Sequence, residues 1–169
     1  MNIRDVLDYA HRTVLTSTDG LTEDELNKPG VCGYWSVKDI LTHLTVYEYV
    51  LVEALSTLAV NESIATPTLE RWMKDGEQVN KDEIRLREQW AAESVRDEYQ
   101  AVRDQAMQML DRIPAEKLTQ KGILEWYGAD YDLEDFLTYT FVGHKIEHMS
   151  QINVYRDLIA REAVELFLA

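Results

Sequence analysis

Cysteine occurs once in this 169-residue chain, at Cys32. No intrachain disulfide can form, so any fold must rest on its core, as in proteins of a reducing compartment. Basic residues are scarce, with 17 Lys and Arg against 31 Asp and Glu and a formal net charge of -14. Neutralising phosphates needs clustered Lys and Arg, so this balance argues against nucleic acid and against an anionic membrane surface. No stretch reaches the roughly 18 apolar residues of a membrane span. The start, Met1 to Asp5, lacks the charged-then-apolar run of a signal peptide, and the expectation is a cytoplasmic protein. Glycine-rich phosphate loops and the H-E-x-x-H pattern are missing too, which removes the P-loop and metalloprotease readings.

Proline and glycine are also few, at three and seven residues. The long segments between them carry apolar residues at helical spacing. A first helix is expected over 3–17, with Ile3, Leu7, Ala10 and Val14 on one stripe. A connector from Leu21 to Gly33 holds a short acidic turn. Ser36 is a good N-cap for a second helix, with Asp39 as its capping-box partner and Trp35 placed to pack on Ile40. That stripe continues through Leu44, Tyr47, Leu51, Leu55 and Leu58. A loop over Asn61–Thr68 and a shorter helical piece over Leu69–Met73 follow, interrupted by Gly76. A third helix is expected over 80–112, with Trp90 to Ile113 on its stripe and Pro114 as its stop. Trp126 and Tyr127 belong at or beside a bundle end. A fourth helix starts near Asp132 and runs to about 161, leaving 162–169 as a tail.

No alternating strand pattern, internal repeat or low-complexity segment appears. The expected fold is therefore all-α, one domain over 1–169, a four-helix bundle with long crossover connections.

Three of the four histidines fall on these apolar stripes. His144 and His148 are four apart and share a helix face. His43 lies three past Ile40 and four before Tyr47, so it faces inward from the second helix. Bundle cores build metal sites from facing helices in this way. Imidazole suits zinc, nickel, iron and copper. Three protein ligands leave a position open, which is the catalytic rather than the structural pattern. The competing reading is three satisfied core histidines, and spacing alone leaves both open. Outer nitrogens of metal-bound histidines need acceptors, for which Tyr47, Glu48, Thr140 and Gln151 are nearby candidates. Glu147 reads as a flanking, solvent-facing residue and His11 as ordinary packing. Cys32 has no adjacent base and reads as incidental.

The segments Trp35-Ser36-Val37-Lys38-Asp39-Ile40-Leu41-Thr42-His43-Leu44 and Gly143-His144-Lys145-Ile146-Glu147-His148-Met149-Ser150-Gln151-Ile152 resemble the DinB/YfiT-like superfamily of metal-dependent four-helix-bundle proteins. The resemblance covers most of the chain, including the turn from Ile113-Pro114 to Leu118. Leu69 to Trp90 looks like the long middle region of the colibactin-resistance-type subgroup. The resemblance implies a divalent metal, zinc or nickel foremost, held by His43, His144 and His148. It also implies a homodimer and a metal-activated low-molecular-weight thiol or water acting on a small electrophile, as in a transferase or hydrolase. Tyr47 and Thr140, each about one turn from a ligand, are the candidate walls of the substrate pocket. A non-catalytic protein sequestering a metal or small molecule in the same pocket is the alternative.

Overall fold

In the computed structural model, residues 2–59 and 64–168 are described, and of the expected loop Asn61–Thr68 the first three residues fall outside them. The described residues form helices α1 (Ile3–Thr18), α2 (Glu23–Asn27), α3 (Val37–Ala59), α4 (Pro67–Leu86), α5 (Ala92–Leu110), α6 (Ala115–Leu118), α7 (Leu133–Phe136) and α8 (Gly143–Leu168), with a π-helical turn, Leu137–Val142, joining the last two. The fold is all-α, as expected from the periodicity. No helix among the described residues is long and apolar enough to cross a membrane.

Local capping explains where the elements begin. Asn2 caps α1 by accepting from the Arg4 N–H. Ser36 and Asp39 form the reciprocal box expected at the start of α3, with Ser36 Oγ accepting from the Asp39 N–H and the Asp39 carboxylate accepting from the Ser36 N–H. Asp132 and Asp135 do the same for α7. Trp35 reaches this point through a four-residue turn from Cys32, in which Gly33 takes φ +61, a left-handed conformation that favours glycine.

The expectation of one helix over 80–112 is corrected. Helix α4 ends at Leu86, and α5 begins at Ala92. Arg87 is buried in the break. Its guanidinium donates to both oxygens of Glu98, at 2.6 and 2.8 Å, and to Glu83 at 2.7 Å. Lys38 of α3 donates to the carbonyls of Glu88 and Trp90. The N-terminus of α5 is capped by a carboxylate from elsewhere in the chain, Glu23, which accepts from the Ala92 N–H at 2.9 Å. These partners come from other elements, so local periodicity ran through the break. Trp90 lies in the break, 40% exposed, instead of on a core stripe.

The expected interruption at Gly76 is a kink one residue earlier, inside α4. Asp75 leaves helical geometry (φ -161°, ψ 83°), and its carboxylate accepts from the Gln78 N–H, capping the second half of the helix. Helix α4, kinked at Asp75, thus fills the connection between α3 and α5 among the described residues and packs on α3. Residues 162–168, expected as a tail, continue α8 as helix.

Helix α3 packs mainly on α5 and α4, and α8 mainly on α1. Two apolar clusters fill the interior. One holds Leu7, Leu51, Leu55, Leu110, Phe136 and Phe141, and the other Val14, Ile40, Leu41, Leu44, Val95 and Ile152. Trp126 and Tyr127 pack edge-on against Phe136 at the end of the first cluster, as expected of them.

Candidate metal centre

His43 lies almost two turns into α3, and His144 and His148 lie on the first two turns of α8. The phase of α8 is set by the π-helical turn just before it, in which the Gly143 N–H reaches back to the Thr138 carbonyl. A π turn holds an extra residue, which rotates everything after it by about 100° relative to a continuous α-helix. Nothing in the residue pattern announced this turn, because helical periodicity persists on either side of it.

The three side chains meet. His144 Nε2 lies 2.9 Å from His43 Nε2 and 3.0 Å from His148 Nε2. All three could hold one metal ion, their ligand atoms lying within 4.8 Å of one another. His43 and His148 are buried, and His144 is partly exposed, so the cluster is not sealed.

The outer nitrogens decide which atoms face inward. His43 Nδ1 lies 2.8 Å from the side-chain oxygen of Asn80, and His148 Nδ1 lies 2.9 Å from that of Gln151. An amide oxygen only accepts, so both Nδ1 atoms carry the hydrogen and both Nε2 atoms present bare lone pairs. His144 Nε2 can supply a hydrogen to one of them but not to both. His144 Nδ1 is itself buried with no hydrogen-bond partner. Three converging nitrogens with too few hydrogens between them make a donor set that an electrophile satisfies and protein hydrogen bonds alone do not.

Burial keeps these rings neutral. Desolvation lowers the pKa of His43 to about 4 and, helped by the neighbouring histidines and Lys145, that of His144 to about 3. It lowers His148 as well, against the opposing pull of Gln151 and the exposed Glu147. A neutral imidazole is the form that ligates.

Around the cluster, Trp35 lies over His43 with ring centroids 4.9 Å apart, and Tyr47 lies 4.9 Å from His43 and 4.2 Å from His144. Trp72 of α4 backs Tyr47. Thr140 turns elsewhere, its hydroxyl donating to the Tyr127 hydroxyl at 3.3 Å. Of the residues considered as acceptors for the outer nitrogens, only Gln151 takes that place. Glu48 pairs with Lys145 in the core. Asn80 was not foreseen, because it sits in α4, on a segment whose position against α3 no local pattern encodes. His11 is buried away from the cluster, stacked on Tyr99 and hydrogen-bonded to Gln100.

A cleft of about 580 Å³ adjoins the centre, lined among others by Tyr34, Trp35, Asn80, Lys81 and Arg85. Trp35 and Asn80 therefore face both the cleft and His43.

Comparison with curated proteins and with solved structures returned no match. A family model matches over residues 7–152, a span that contains all three converging histidines, and the chain belongs to the DinB superfamily.

Proposed function

We propose that His43, His144 and His148 bind a divalent metal ion through their Nε2 atoms, and that the protein is a metal-dependent enzyme acting on a small electrophile. The observation that carries this reading is the convergence of three neutral imidazole nitrogens, two with their lone pairs aimed inward by Asn80 and Gln151. Imidazole donors suit zinc and nickel. Such an ion supplies Lewis-acid activation of a thiol or a water. The chain's own contributions are orientation and exclusion of water. Asn80 and Gln151 hold two rings in one tautomer, while Trp35 and Tyr47 pack against the rings. The adjoining cleft falls within the usual range for small-molecule sites, roughly 300–1,000 Å³.

Metal analysis of the purified protein tests the site. A bound divalent ion is expected in the wild type and none in the His43→Ala/His148→Ala variant, and equal metal content in the two overturns the reading. Asn80→Ala, which removes an orienting oxygen without a ligand, is expected to weaken zinc binding by about 10- to 100-fold. Turnover of an electrophile in the presence of a low-molecular-weight thiol or water distinguishes catalysis from sequestration, which would give only stoichiometric loss.

A further inference from the structure

A second polar cluster lies in the core, one residue from His144 along α8 and five from His43 along α3. Lys145 Nζ is 2.5 Å from Glu48 Oε1, and both side chains are almost wholly buried. Beyond this contact, neither carboxylate oxygen nor the ammonium has a hydrogen-bond partner. The buried Tyr99 hydroxyl and His11 Nδ1 are likewise unpartnered. One polar group from each of α1, α3, α5 and α8 is thus held in the interior with little to satisfy it.

As a source of stability this arrangement is poor. Taking two charges from water is expensive, and attraction repays the cost only with good geometry and further hydrogen bonds. Apolar residues of similar size would serve the core at least as well. The pair is better suited to joining two particular helices. Helix α3 packs mainly on α4 and α5, and α8 mainly on α1, and few residues of α3 and α8 approach one another closely. The histidine cluster nevertheless requires these two helices to be in register.

We propose that the Glu48–Lys145 ion pair is a positioning device that ties α3 to α8 and sets the register in which His43 meets His144. This rests on the metal-centre reading above for its functional consequence, though not for its structural one. An ion pair enforces register because removing either partner's alignment leaves a buried charge uncompensated, whereas apolar side chains can slide past one another at little cost. Neither residue touches the histidine nitrogens, so both act through helix placement.

The test is the paired variant Glu48→Leu/Lys145→Met, which removes both charges together. It is expected to melt no lower than wild type and yet to bind zinc at least tenfold more weakly. Glu48→Asp, which keeps the charges and shortens the tie, is expected to fold and to weaken zinc binding several-fold. A metal-free readout stands beside these. Spin labels at Thr57→Cys and Ser150→Cys, on exposed positions of α3 and α8 and with Cys32→Ser, report the separation of the two helices. The distance distribution is expected to broaden or shift in the paired variant. Unchanged zinc affinity in both Glu48→Asp and the paired variant, or an unchanged distance distribution, overturns the proposal. Should wild type bind no zinc, the metal-centre reading fails, and the spin-label distances alone decide for or against the register tie.

Discussion

His11 and the three clustered histidines share a buried setting and differ in what their nitrogens meet. His11 donates from Nε2 to the Gln100 side-chain oxygen and stacks on Tyr99, with ring centroids 4.4 Å apart. Burial, with Lys145 nearby, lowers its pKa to about 4 from the usual 6.5. The unfolded chain therefore takes up a proton at this residue below pH 6.5, while the folded protein does so only near pH 4. His11 contributes stability that is fully present above pH 6.5 and is lost as the pH falls toward about 4. Thermal melts from pH 7 to pH 4 should show a shallower decline for His11→Gln than for wild type. Parallel curves would mean that His11 keeps its ordinary pKa. The sequence placed His11 as packing and the other three as a cluster. It did not show what each ring's nitrogens meet, because most of those partners lie on neighbouring helices.

At the scale of elements, the cap at Ser36–Asp39 formed where it was read, and a helix starts at Asp132, where one was expected. The break between α4 and α5 was not read because part of what holds it, Lys38 and Glu23, lies far away in the chain. Arg87 is held by Glu83 and Glu98, and the Glu98 carboxylate also accepts from the Tyr49 hydroxyl of α3 at 3.1 Å. With the Arg87 side chain only 4% exposed, its removal leaves two carboxylates facing each other without their cation. Arg87→Met is expected to destabilise the protein by about 3 kcal/mol, the lower end for breaking a buried pair. For a chain of this size that lowers Tm by roughly 6–12 °C, measurable by calorimetry. A loss below about 1 kcal/mol would show that Lys38 and the Glu23 cap hold the break without it. The same break sets where α4 runs, and with it the position of Asn80 against His43.

On the scale of the whole molecule, the candidate centre joins α3 to α8, so an ion there would be bound by the folded state and only weakly by the unfolded chain. Zinc at a thousandfold its Kd is expected to raise stability by about 4 kcal/mol. That corresponds to a Tm increase of roughly 8–16 °C. His148→Ala should show no such increase, and an equal rise in the variant would place the bound zinc elsewhere, among the 31 acidic side chains.

The all-α class, most helix starts and the shared face of His144 and His148 were determined by the sequence itself. Each depends on contacts within one or two turns, where spacing fixes geometry. The tertiary structure alone decided the path of α4 against α3, the break at Arg87, the π turn ahead of His144 and the carboxylate of Glu23 capping α5. It also decided that Asn80 orients His43 and that Glu48 meets Lys145. These depend on which surfaces close over one another across dozens of residues, and in a helical chain no local pattern carries that information.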